Sequence, residues 1–239
     1  MKTSPILLVT AILLTGIIVL PQTVKIVPRK TTYRRQKPQY DFKRTFTIRR
    51  PIATASTVAL SRKITAAISP ERVLDLNIRE ELTEFQWLEE ADYKVIFNQN
   101  GVLCIELWMT GTAAYPDSVT KAVVVDIRTG RVARVPDLFR QLPELAKLVR
   151  KKQLAEIAQA TEEMRSDPDA SPDQLFSEAR FTTEDFDQFT VDSQGVTFRY
   201  DYGFPHVLEA LQPAGEFHFS WAELKPFIRM DGLLARFVR

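Results

Sequence analysis

The Asn100-Gly101 pair, set between the alternating runs "DYKVIF" and "VLCIELWM", constrains the fold more than any other feature of the chain. A tight hairpin that matches the twist of its strands needs positive φ at its turn, and Asn followed by Gly reaches that geometry at least cost. An antiparallel hairpin is therefore expected here. Downstream, "VTKAVVVDI" reads as a further strand, "RTGR" as a turn and "VARV" as the returning strand, ending at "PDLF". The centre of the chain is thus an antiparallel meander of three or four strands.

Helical patterns flank it. "SPERVLDLNIREELTEFQWLEE" reads as one helix, with Ser69 as cap, Pro70 in the first turn, and Leu74, Ile78, Leu82 and Phe85 as the buried stripe. "LPELAKLVRKKQLAEIAQATEEM" places Leu145, Leu148 and Leu154 at helical spacing, with Val149 and Ile157 beside them. Ser171-Pro172 opens a short helix, and Thr182 or Thr183 caps another. "FTVDSQGVTFRYDY" is a second hairpin turning at Asp192–Gly195. A loop at Gly203-Phe204-Pro205, a turn at Pro213–Gly215, the strand "EFHFS" and the helix "WAELKPFI" follow. Upstream, residues 44–60 read as one or two strands interrupted by Pro51. The order implies an α+β fold, an antiparallel meander sheet packed with several helices, in a single domain after an N-terminal hydrophobic leader.

Composition narrows the function. With 45% apolar and 26% charged residues the chain buries a core, so wholesale disorder is excluded. It has eight glycines and neither GxGxxG nor GxxxxGKS/T, so no Gly-rich phosphate loop is expected. Residues 1–24 contain Lys2 and then fifteen uncharged residues, Ile6–Leu20, the length of a signal-peptide core. No A-x-A-like site follows, so a membrane anchor over residues 3–24 is the alternative to a cleaved signal peptide. Export is expected, in a periplasmic or secreted location, although the basic residues that follow would by charge bias favour the cytoplasmic side.

Residues 25–63 hold twelve Lys/Arg against one acid, Asp41, and are expected to form a basic linker and leading strand region. Contact with a membrane through residues 1–50, or with an anionic wall polymer, is one reading of this arm, and a solvated linker is the other. Nucleic acid is not an expected partner of an exported chain. Residues 64–239 reverse the balance, with nineteen Lys/Arg against twenty-nine Asp/Glu.

Candidate chemistry is sparse. Cys104 is the only cysteine, which excludes an internal disulfide or a thiolate cluster, and it reads as a buried, inert thiol. Two histidines twelve residues apart supply no typical metal set, so neither a metal nor a cofactor is expected. His218 alternates with Phe217 and Phe219 and belongs to the polar face. His206, after "GFP", sits in an irregular segment as a candidate binding-loop residue. No GxSxG elbow occurs. The acidic groups Glu89/Glu90/Asp92 and Glu184/Asp185/Asp187 read as solvated helix ends, and no catalytic residue is assigned. Tyr200, Tyr202 and Phe204 alternate into the loop, either as core or as the lining of a groove for sugar or peptide.

Three stretches together carry a resemblance: "YKVIFNQNGVLCIEL", "TGTAAYPDSVTKAVVVDIRTGRVARVPDLF", and "VDSQGVTFRYDYGFP" with its following turn, strand and "ELKPFI". They resemble the extracytoplasmic domain shared by the lysozyme-sensing anti-sigma factor RsiV and some peptidoglycan deacetylases. The match covers about residues 70–229, and its most specific run is Asp126, Thr129, Gly130, Asp137, Leu138 and Phe139. Many members carry a Gly-Ala-His loop where this chain has Thr112-Ala113-Ala114-Tyr115-Pro116, so that histidine's role does not carry over. Five residues precede the apolar run, so no sigma-binding helix is expected.

The resemblance implies an RsiV-like module over 64–239 that binds a wall component or a protein, a lysozyme-like hydrolase among them. Tyr115, Tyr202, Phe204 and His206 are the candidate ligand-binding residues. The alternatives are a carboxylate-dependent hydrolase acting on glycan or peptide, through Asp201, Glu209 or Glu216, and a structural envelope scaffold.

Overall fold

The computed structural model describes residues 23–165 and 171–239. All of the leader before Thr23, and with it the signal-peptide or anchor reading, lies outside the described residues. Six strands form the first sheet in chain order: β1 (Lys25–Arg34), β2 (Thr45–Thr54), β3 (Leu88–Gln99), β4 (Val102–Thr112), β5 (Pro116–Asp126) and β6 (Arg131–Val132). Every neighbouring pair is antiparallel except β2–β3, which run parallel at Thr47↔Glu90 and Ile48↔Ala91. The expected hairpin closes with Gln99 opposite Val102, and Asn100 and Gly101 adopt φ of 52° and 76°. Both turn residues thus occupy the left-handed region that selects this dipeptide.

The N-terminal arm, expected as a basic linker and leading strand region, is strand from its first residue. Its first ten residues are β1, paired along its whole length with β2, and Pro51 does not interrupt β2 but lies opposite Pro28. β1 is the sheet's outer strand, where Pro28 removes no needed donor and Lys25, Arg29, Lys30 and Arg34 are exposed. Charges and proline on an edge discourage edge-to-edge association. Arg35 and Lys43 are instead buried, at 1% and 3% exposure.

Three helices carry the chain from β2 to the parallel strand β3: α1 (Val58–Ala67), α2 (Pro70–Val73) and α3 (Ile78–Thr83). The strand-and-linker reading lacks α1, whose start Thr57 caps by accepting a hydrogen bond from Leu60 N. The single helix expected over residues 69–90 is broken. Asp75 has φ 56°, Asn77 caps α3 by accepting from Arg79 N and Glu80 N, and Gln86 has φ 46°. Leu74 is buried as expected, but Phe85 is 63% exposed, because the chain has left the helix before reaching it.

After β6 come α4 (Val135–Leu138), α5 (Leu142–Met164) and α6 (Pro172–Leu175), then a 3₁₀ turn Thr183–Asp187 with a Thr182/Asp185 capping box. Strands β7 (Phe189–Val191), β8 (Gly195–Arg199) and β9 (Glu216–Ser220) form a second antiparallel sheet, followed by α7 (Trp221–Leu224) and a 3₁₀ turn Leu233–Phe237. On α5, Leu145 and Val149 are fully buried, whereas Leu154 is 51% exposed. Gln153 takes the inner position at that level, accepting from Phe181 N at 2.7 Å.

Period-two alternation on β4 divides the core. Cys104 faces the second sheet with Val124, Phe189, Val196, Phe198, Phe217 and Phe219, closed by α5, Leu224 and Ile228. Leu103, Ile105 and Leu107 face the other way, onto Phe46, Ile48, Ile64 and Leu88. A smaller cluster joins Ala160 and Met164 of α5 to Ala179, Tyr202 and Phe204. Burial pushes the Cys104 thiol up to about 12. In the native protein Cys104 is therefore expected to resist thiol-directed alkylation at pH 8, reacting only as denaturant unfolds the chain. Fast labelling of folded protein would contradict that placement.

Candidate functional site

At the end of the β4–β5 hairpin the chain turns through Ala113–Tyr115, Ala113 N donating to Tyr115 O at 3.1 Å. The Tyr115 side chain stands out, 66% exposed. Beside it lies the excursion between β8 and β9. Asp201 accepts from Gly203 N at 2.9 Å, Gly203 takes φ 65°, and Phe204 N donates to Gln212 Oε1 at 2.8 Å. These local bonds hold a 3₁₀ turn, His206–Leu211, against the hairpin tip. The His206 ring stands 5.1 Å from the Tyr115 ring, and its Nδ1 lies 2.9 Å from Glu209 Oε2.

Between the hairpin and this excursion runs an open groove of about 610 Å³. Five carboxylates line it: Glu106 on β4, Asp117 on β5, Asp201 and Glu209 on the excursion, and Glu216 on β9. Its one cation is Arg199, at the end of β8, whose Nη1 meets Glu106 Oε2 at 2.5 Å. Arg199 Nε lies 3.0 Å from Glu216 Oε1, an ion-pair distance without hydrogen-bond alignment. Ser118, Thr120, Gln188 and Gln212 add hydroxyl and amide groups, and Tyr200 and Phe204 supply the apolar wall. Trp108, half-buried, follows Glu106 by two residues on β4 and so shares its face, opposite Thr120 of β5. Five acids around a single guanidinium in a concave surface concentrate negative potential and favour a cationic ligand.

The sequence candidates converge here in two layers. Tyr115 and His206 are exposed and in contact at the rim. Phe204, 8% exposed, lines the groove from behind. Tyr202, 9% exposed, sits deeper, edge-on to Phe176, and its hydroxyl donates to Glu156 Oε2 at 2.7 Å. Burial and the Glu156 carboxylate both raise the Tyr202 pKa, so it is a neutral donor that braces the loop. Asp201, Glu209 and Glu216 all reach the groove.

The other acidic groups do not. Glu89, Glu90 and Asp92 lie on β3 rather than at a helix end, and Asp92 pairs with Arg49 at 3.0 Å. Asp185 is held in its capping box. His218 is exposed, its Nδ1 3.2 Å from Thr197 Oγ1. Among the described residues no three His, Cys, Asp or Glu side chains are grouped to hold a metal ion. Glu106, Asp117 and Arg199 escape the sequence reading. Glu106 has a visible signal, as the one charge within the apolar strand "VLCIELWM".

No protein-family model matches the chain, and no curated protein does. Two solved structures are similar to it. One is a member of the DUF3298 family from Bacteroides fragilis NCTC 9343, with a TM-score of 0.56 and 14% identity over 91% of this chain and 97% of that one. The other is a DUF3298 family protein from Pseudomonas aeruginosa PAO1, with a TM-score of 0.57 and 12% identity over 86% of this chain and 94% of that one. The likeness shows a shared fold over nearly the full length.

Proposed function

We propose that this chain is an RsiV-like, extracytoplasmic, non-catalytic module of the cell envelope whose acidic groove receives a basic surface of a protein partner, a lysozyme-like hydrolase above all. The observation that carries this reading is the gathering of Glu106, Asp117, Asp201, Glu209 and Glu216 about Arg199. The wider body supports it, since residues 64–239 carry ten more acidic than basic side chains (29 − 19). Tyr115 and His206 offer an exposed aromatic contact at the rim, the kind of side chain that anchors interfaces. The apolar run Ile6–Leu20 supports export.

The test is binding of the full chain, in detergent micelles, to purified lysozyme and to peptidoglycan across a salt series. Saturable binding to lysozyme is expected, weakening by about tenfold as ionic strength shortens the screening length. The pair Asp201→Asn and Glu209→Gln is expected to weaken it by about tenfold at low salt. Binding indifferent to salt would remove the electrostatic argument, and binding to peptidoglycan alone would move the ligand to the wall polymer.

The presence of Asp201, Glu209 and Glu216 among the five carboxylates of the groove also favours a second reading, a hydrolase of glycan or peptide. It predicts that Asp201→Asn, Glu209→Gln or Glu216→Gln singly abolishes turnover while leaving the fold intact.

A further inference from the structure

The end of the first sheet away from the 113–115 hairpin tip carries the opposite charge to the groove. Val24, the last residue before β1, is fixed by its N–H donating to Asn98 Oδ1 at 3.1 Å and by Asn98 Nδ2 donating to its carbonyl at 2.6 Å. Asn98 leads into the Asn100-Gly101 turn, and Gly101 O accepts from Ile127 N at 3.1 Å, so the 126–131 turn lies at the same end. α1 packs there too: a Cβ on Gly130 would stand 2.8 Å from Lys63 Cβ. Arg236 donates to Asn100 O, and burial together with the nearby Arg128 and Arg239 lowers its pKa.

Lys25, Lys63, Arg128, Arg131, Arg236 and Arg239 thus gather where the chain enters the domain. The acid among them, Asp126, is paired with Arg128 at 3.4 Å. A cleft of about 540 Å³ opens between α1 and the 128–131 turn, lined by Lys63, Arg128 and Arg131 with the hydroxyls of Ser56, Thr57 and Thr129. Val58, 68% exposed, lies next to Thr57 at its edge.

We propose that this basic end docks on the anionic headgroups of a lipid bilayer and holds the acidic groove turned away from it. Guanidinium, ammonium and hydroxyl donors suit phosphate oxygens. The bilayer is the favoured occupant because the apolar run Ile6–Leu20 ends only four residues, 21–24, before Lys25. Four residues span at most about 14 Å, so wherever that run inserts, these cations lie near the surface. Near an anionic leaflet each cation contributes roughly fivefold in surface affinity. The groove's carboxylates are repelled by the same surface: Glu106 stands four residues along β4 from Val102, roughly 14 Å, and Asp117, opposite Gly111, roughly 30 Å from that end. Both ends therefore favour one orientation.

The experiment reconstitutes the full chain in phosphatidylcholine vesicles with or without phosphatidylglycerol. Because Cys104 is buried, Val58→Cys or Ala113→Cys gives a single accessible labelling position for a fluorophore, read with a quencher carried on lipid headgroups. In anionic vesicles the probe at 58 is expected to be quenched at least about threefold more than the probe at 113. The difference should vanish in 1 M salt, where screening acts within about 3 Å, and in a Lys63→Glu, Arg128→Glu, Arg131→Glu variant.

Equal quenching at the two positions, or quenching at 58 that ignores lipid charge and salt, overturns the proposal. Should the triple variant lose its cooperative circular-dichroism melt, Arg131→Glu alone and the salt series on the unaltered charges decide the same point. Groove binding of a basic protein should survive the reversals, so the two proposals stand or fall separately.

Discussion

Replacing Arg35 with methionine is expected to lower stability by about 3–5 kcal/mol, the usual cost of breaking a buried ion pair from one side. In a chain of this size that lowers Tm by on the order of 10 °C. The Arg35 side chain is fully buried, and each of its three nitrogens donates a hydrogen bond. Nε donates to Glu81 O, Nη1 to Lys43 O and Nη2 to Leu88 O, each at 2.8 Å, with Glu81 Oε2 at 3.3 Å. The guanidinium lies 4.6 Å from the centre of the Phe46 ring. Burial lowers the Arg35 pKa and the Glu81 carboxylate opposes that shift, so the charge depends on its partner. Without it, three carbonyls lose their donor and Glu81, 6% exposed, keeps only the bond from Leu88 N at 2.8 Å. A double change, Arg35→Met with Glu81→Met, should recover part of the loss, since no buried charge is then stranded. Denaturant melts of the three variants check this. A single variant within about 1 kcal/mol of the unaltered chain would mean that the guanidinium is not held as described.

Arg35 also shows where a sequence stops being readable. It stands among twelve Lys/Arg in residues 25–63, and composition cannot separate it from Arg34 beside it. Its partners come from positions eight to fifty-three residues away, so its burial is a property of the assembled corner. The meander is legible because its turn chemistry is local: Asn100-Gly101 needs no distant partner to adopt positive φ. The break between α2 and α3 lies between these extremes. Leu74, Ile78 and Leu82 keep helical spacing, yet Asp75 and Asn77 are residue types that favour left-handed backbone and caps. A reading by spacing alone overrides those local signals. Leu154 departs from expectation for a further reason, because a buried amide, Gln153, finds partners that outrank apolar patterning.

The candidate site divides the same way. His206 stands out by its irregular local sequence, and Tyr115 by a loop in the family resemblance. That their rings meet, ninety-one residues apart, follows only from the second sheet's packing on β4 and β5. Tyr202 and Phe204 stand out by alternation, which marks a face without saying whether that face is wet. The structure packs them with Phe176 and α5, so they shape the groove more than they meet its contents.

Gly215→Ala should be the most damaging single-methyl change near the groove, at about 2–5 kcal/mol from strained backbone and overpacking together. Its φ is 62°, and an added Cβ would stand 1.9 Å from Tyr200 O, which is backbone and cannot swing aside. Tyr200 N already donates to Gly215 O at 2.9 Å, so the two segments are held at this approach. Gly215 N donates to Glu156 Oε1 at 3.1 Å, and the same carboxylate receives the Tyr202 hydroxyl. A shift of residue 215 therefore pulls on Glu156 and Tyr202 and moves Gln212, Ala214 and Glu216 on the groove's lip. Gly203→Ala is the control. Gly203 also has positive φ, at 65°, but an added Cβ meets nothing within 4 Å, leaving only the strain of about 1 kcal/mol. Melts of both variants, with lysozyme binding measured on each, separate the two contributions. Loss of stability and binding in Gly215→Ala, with binding retained in Gly203→Ala, ties the groove's shape to the β8–β9 approach. Equal behaviour of the two would make the shared left-handed backbone the whole effect and leave the close approach without consequence.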